Sequence, residues 1–141
     1  MTTACGLIAA ADHAMTIHIV PAWKGCTGSY VHDILSKYQI NPLCNWEIWP
    51  DYHFGGFAKF NQDLLDFMFS FSNKTGIPLD PIYTGKMMYG IIEKIKEGYF
   101  SADASIMAIH SGGLQGLRGF SYRYPEVWRE YELRSGREGM F

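Results

Sequence analysis

Hydrophobic and polar positions alternate along this chain in blocks that read as short apolar strands separated by amphipathic helices. Thr2-Thr3 followed by Ala4 to Ala14 predicts an alanine-rich helix with a hydroxyl cap. The β-branched run Met15 to Val20 predicts a buried strand that Pro21 closes. After the glycine-punctuated loop 23–28, Ser29 is placed to cap a helix through Lys37, with Val31, Ile34, Leu35 and Tyr38 facing inward. Asn45 to Trp49 predicts a second strand ended by Pro50, and a compact loop, Asp51 to Lys59, follows. Asn61 opens a helix from Gln62 to Ser72 that is apolar nearly all round, and Gly76 stops it.

Pro78-Leu79-Asp80-Pro81 is held extended by its two prolines, and the pattern then switches abruptly to helical spacing. Met87, Met88, Ile91, Ile92 and Ile95 mark one face, with Lys86, Glu93, Lys94, Lys96 and Glu97 on the other, up to Gly98. Ala104 to His110 predicts a third buried strand breaking into the glycine-rich loop 111–116, and the tail 121–141 is charged, aromatic and weakly helical. Strands alternating with helices predict an α/β fold, a parallel-sheet layer with flanking helices. Ligands gather beyond the carboxyl ends of such strands, where loops 51–59, 83–86 and 110–116 would converge.

Composition narrows the class. At 141 residues, 48% hydrophobic and 18% charged, the chain is of one-domain size and globular. An aromatic share of 16%, clustered between Trp46 and Phe71, predicts a large buried surface or a subunit contact, hence a homo-oligomer. A net charge of −2 gives no basis for binding nucleic acid or an anionic membrane. Three cysteines without a repeated spacing read as reduced thiols, and with no spanning stretch or basic leader the expected compartment is the cytoplasm.

Candidate chemistry lies in the three loops. Tyr83-Thr84-Gly85 sit at a helix N-terminus, where free N–H groups and a positive dipole end can receive an anion or a polar ring atom; equally, the turn is a capped helix start whose Tyr83 ring packs on the core. Lys86 can neutralise an anion or simply be solvated. Ser111-Gly112-Gly113 can approach a ligand closely or form a tight turn. His53 and His110 suit acid–base work or a structural hydrogen bond. No Cys/His pair has zinc spacing, so no metal is expected, and no Walker loop, nucleophile elbow or complete Gly-x-Gly-x-x-Gly occurs.

Three stretches together, Asp51-Tyr52-His53-Phe54-Gly55-Gly56-Phe57-Ala58-Lys59, Pro78 to Lys86 and Ile109-His110-Ser111-Gly112-Gly113-Leu114-Gln115-Gly116, resemble the 1-aminocyclopropane-1-carboxylate deaminase and D-cysteine desulfhydrase family. This is a pyridoxal-phosphate-dependent group of fold type II, and the resemblance runs from about Thr2 to Gly119. It implies a C-terminal half of the enzyme's α/β domain over 1–120, with 121–141 a tail. It implies that Tyr83 is the active-site tyrosine, that Thr84, Ser111 and Gly112 border the cofactor ring, and that Thr2 and Thr3 end the phosphate-binding loop. Phe57, on the substrate-side loop, stands where family members commonly carry tyrosine.

Thr84 occupies the place where deaminases carry a glutamate. A neutral hydroxyl partner leaves the pyridine nitrogen less protonated and the ring a weaker electron sink, which suits β-elimination of sulfide better than cyclopropane opening. The resemblance further implies a small amino-acid substrate and a Schiff-base lysine in an N-terminal half that none of this chain's lysines matches. Alone, such a chain is expected to be inactive. The alternatives are a catalytically inactive remnant and a phosphate-ligand-binding α/β module. Missing neighbouring strands would leave Ile8, Ile17 and Ile19 uncovered.

Overall fold

The computed structural model describes residues 1–113 and 115–135; Leu114 and the end of the expected tail, 136–141, lie outside the described residues. Among the described residues it is an α/β arrangement of six α-helices and a two-stranded parallel sheet. Strand β1 (Thr16–Ile19) pairs with β2 (Asn45–Ile48) in the register Thr16↔Asn45 to Ile19↔Ile48. The crossover carries α2 (Gly28–Lys37), whose Val31 and Leu35, one turn apart, are buried against the sheet with Ile8, Ile19 and Cys44. Helix α1 (Thr2–Ala10) packs on β1 and α2. On the sheet, His18 stacks on Trp49 with ring centroids 4.5 Å apart, and Tyr99 and Phe100 meet both rings edge-on. Glu47 accepts hydrogen bonds from Trp49 and Tyr99, which ties the end of α4 (Thr84–Lys96) to β2.

Helix α3 (Gln62–Thr75) is the hub of the remaining structure. Asn61 Oδ1 accepts from the Leu64 N–H at 3.0 Å, and Gly76, at φ 75°, terminates the helix as expected. Leu64 and Met68 pack with Leu79 and the partly buried Met88 and Tyr89, joining α3 to α4. Leu65 and Phe69 pack instead with Phe120 of α5 (Gln115–Arg123) and Tyr131 of α6 (Pro125–Ser135). The near-continuous apolar character of α3 thus reflects two separate cores on adjacent faces of one helix.

Several expectations are corrected. Ala104–His110 is not a strand: the segment has no regular secondary structure and is exposed throughout, with Met107 84% accessible. Its apolar pattern satisfies the side-chain requirement of a central strand, but no described strand lies alongside to take its backbone hydrogen bonds. Helix α1 ends at Ala10 instead of Ala14, where Ala11 turns extended, and neither Thr2 nor Thr3 caps it: Met1 is the cap residue, with no side-chain bond. Ser29 lies inside α2, and Thr27 precedes that helix without capping it through its side chain. Of the three isoleucines expected to be uncovered, Ile8 and Ile19 are buried in the α1–α2–sheet core, and Ile17 is partly buried against it. The buried positions of α4 are Thr84, Gly85, Lys86 and Gly90, and the methionine and isoleucine stripe is only partly covered. Among the described residues no helix is long and apolar enough to cross a membrane.

Candidate active site

The site is built around Asp80, a fully buried carboxylate in the turn between two prolines. Its Oδ1 accepts the N–H groups of Ile82 (2.9 Å) and Tyr83 (2.8 Å). Its Oδ2 accepts the Thr84 N–H at 2.9 Å and the Thr84 hydroxyl at 2.6 Å. Thr84 Oγ1 in turn accepts the Asp80 N–H at 2.8 Å, and the Asp80 carbonyl accepts the Gly85 N–H at 2.8 Å. Every N–H from Ile82 to Gly85 is therefore spent inside the turn. The expectation that these amides stand free for an anion is overturned: the anion is Asp80 itself.

Lys86, read from sequence as an anion partner or a solvated helix residue, is fully buried. Its Nζ donates to the carbonyls of His53 (2.8 Å), Gly56 (2.8 Å) and Ala22 (3.3 Å). Burial pushes its pKa down to about 8, and the Asp80 carboxylate pulls in the opposite direction. With three N–H donors on three carbonyls, the ammonium works as a strut.

The loop it holds is strained. Phe54 (φ 51°), Gly55 (89°), Gly56 (128°) and Ala58 (54°) are left-handed, two of them non-glycine. The Gly55 N–H is held by His53 Nδ1 at 2.9 Å. This conformation projects Phe57 outward, 57% exposed, to meet the half-exposed Tyr83 edge-on at a centroid distance of 6.1 Å.

The third loop closes on the same turn. His110 Nδ1 accepts the Gly112 N–H at 3.3 Å, so its Nε2 is the nitrogen that donates to the Pro78 carbonyl at 3.0 Å; this histidine braces the loop. Gly112 (φ 103°) and Gly113 (φ 85°) are left-handed, and a Cβ on Gly113 would stand 2.9 Å from Asp80 Oδ2. Ser111 is exposed beside them.

Of the residues singled out from sequence, the structure gathers Phe57, Tyr83, Thr84, Ser111 and Gly112 on three loops that meet at Asp80. Thr84 is buried there with its hydroxyl proton committed to Asp80. Thr2 and Thr3 are exposed on the first turn of α1, whose packing partners are β1 and α2. Sequence reasoning missed Asp80 and the burial of Lys86. Asp80 had a cue, a carboxylate followed four residues later by threonine at a helix start; the partners of Lys86 are 30 or more residues away. Among the described residues no group of three metal-ligating side chains occurs.

No protein-family profile matches the chain. Curated proteins do. The chain is 38% identical over 94 residues to D-cysteine desulfhydrase of Salmonella typhi, and 36% identical over 94 residues to that of Salmonella newport. Each match covers 67% of this chain and 28% of the relative. With the three loops of the resemblance brought together on one turn, the chain belongs to the family of the D-cysteine desulfhydrases.

Proposed function

We propose that these loops form part of the site of a pyridoxal-phosphate-dependent enzyme that eliminates the β-thiol of a small amino acid. The observation that carries this reading is the convergence of Tyr83, Phe57 and Ser111-Gly112-Gly113 around one rigid buried carboxylate. The residues present fit the ring side of such a cofactor. Two exposed aromatic rings, an exposed serine hydroxyl and a pair of left-handed glycines give a planar heteroaromatic ring apolar contact, a neutral hydrogen-bond partner and close backbone approach. Lys86 does not supply a free amine, since its donors are spent.

Bound there, pyridoxal phosphate supplies an electron sink for the substrate's Cα. Ser111 offers a neutral partner to the ring nitrogen, which favours elimination over ring opening. Tyr83, backed by its N–H bond to Asp80, holds its phenol at the rim, where it can give or take a proton at the substrate. Phe57 lays a ring edge-on beside it, which limits the orientations open to the phenol.

The test exchanges the matched 94 residues of the Salmonella typhi enzyme for those of this chain and measures sulfide released from D-cysteine. The chimera is expected to release sulfide, and Tyr83→Phe within it to lower the rate by about 10²-fold or more. A chimera that binds pyridoxal phosphate yet releases no sulfide sinks the reading.

A further inference from the structure

We propose that Lys86 is the positioning residue of this site: its buried ammonium keeps the left-handed loop at Phe54–Ala58 in shape and so sets Phe57 against Tyr83. The inference rests on the proposed function only in treating these rings as a site; its geometry stands apart from any chemistry there.

Packing fixes the loop at its start, where Phe54 meets Tyr89 edge-on at a centroid distance of 4.9 Å beside Leu64, Met68 and Leu79. Four of its five residues from Phe54 to Ala58 have positive φ, and for Phe54 and Ala58 this costs about 1 kcal/mol or more each. Such a conformation persists only where its surroundings enforce it. The Gly56 N–H bonds the His53 carbonyl at 3.0 Å and the Lys59 N–H bonds the Gly56 carbonyl at 3.1 Å, both within the loop itself. The bonds that anchor it to the rest of the protein are those from Lys86 Nζ to His53 and Gly56. The third bond, to Ala22, fixes the same ammonium to the segment that follows β1.

Lys86 also lies three residues beyond Tyr83, on the helix whose start Asp80 fixes. One side chain thus ties the loop bearing one ring to the element bearing the other. Charge is what makes the strut complete. An ammonium has three N–H donors for three carbonyls, whereas a neutral amine has two, so deprotonation forfeits one of the anchors. The other titratable or charged groups at this junction are Asp80 on the same turn, Asp51, His53 and Lys59 within the loop, the last with its side chain against Gly55, and Lys24, whose Cβ approaches Gly56.

The experiment uses the whole chain, free of cofactor and substrate, and compares it with Lys86→Met by NMR. Lys86→Met is expected to keep the helical signals of α4 while losing the Phe57–Tyr83 ring contact and at least tenfold of the exchange protection of Gly56. In the unsubstituted chain, the Gly56 amide and the ring contact should follow the titration of Lys86 Nζ, near pH 8. A folded Lys86→Met protein with the ring contact and protection intact overturns the proposal. Should that variant not fold, a Gly56 signal that stays flat through the titration of Lys86 in the unsubstituted chain overturns it equally. Neither readout involves sulfide release, so the elimination reading and this one fail separately.

Discussion

The turn at Asp80–Lys86 and the segment Ala104–His110 meet at the same site and satisfy their backbones in opposite ways. The turn is built from prolines, a carboxylate and a lysine, yet Asp80, Thr84 and Lys86 are buried, and the amides from Ile82 to Gly85 are paired within five residues. The segment is rich in isoleucine and methionine, yet it is exposed and stands beside no described strand. Side-chain hydrophobicity predicts the reverse of both. What separates them is where the hydrogen-bond partners come from: Asp80 brings its own acceptors to the N–H groups around it, whereas a strand borrows its partners from a neighbour.

That contrast can be broken first at Asp80. Asp80→Ala leaves three N–H groups and the Thr84 hydroxyl without their acceptor, and an expected loss of about 3–5 kcal/mol would be read from urea unfolding.

Next comes pH. Lys86 titrates near 8 when folded against an ordinary 10.5, so the unfolded chain holds the proton more tightly between those values. Stability from this group is therefore lowest below pH 8 and rises by up to about 3 kcal/mol toward pH 10.5. The difference in slope between the unsubstituted chain and Lys86→Met measures it, and equal slopes would refute the assignment.

The smallest effect belongs to the other region. Met107→Ser, in the exposed segment, should move the urea midpoint by no more than the equivalent of about 0.5 kcal/mol. A loss of 2 kcal/mol or more would mean that the segment packs where the fold leaves it open.

The same distinction explains what could be read from the chain. Strands β1 and β2, the buried Val31 and Leu35 of α2, the apolar core of α3, the Asn61 cap and the Gly76 stop follow from neighbours within a few residues, and they are found where the pattern puts them, whereas the inward face expected of α4 is not. The three loops at the site were legible as glycine-bearing breaks at the ends of apolar runs. The Ala104–His110 strand was not, because its pattern describes faces and says nothing of a pairing edge. Nor was the burial of Lys86: a lysine beside a helix is ordinarily solvated, and only the folded chain brings the Ala22, His53 and Gly56 carbonyls to it. Thr84 combines both cases, its helix-start position readable and its hydroxyl's commitment to Asp80 visible only in three dimensions.

The lysine strut also orders events in time. The bonds of Asp80 close over two to five residues, within reach of a chain that has barely begun to fold. Those of Lys86 span 64, 33 and 30 residues, so each must bring distant parts of the chain together before it forms. The turn can thus assemble early as a finished piece, while Phe57 reaches Tyr83 only at the end, when β1, its following loop and α4 have all docked. Folding completes the site last, and local opening would release it first.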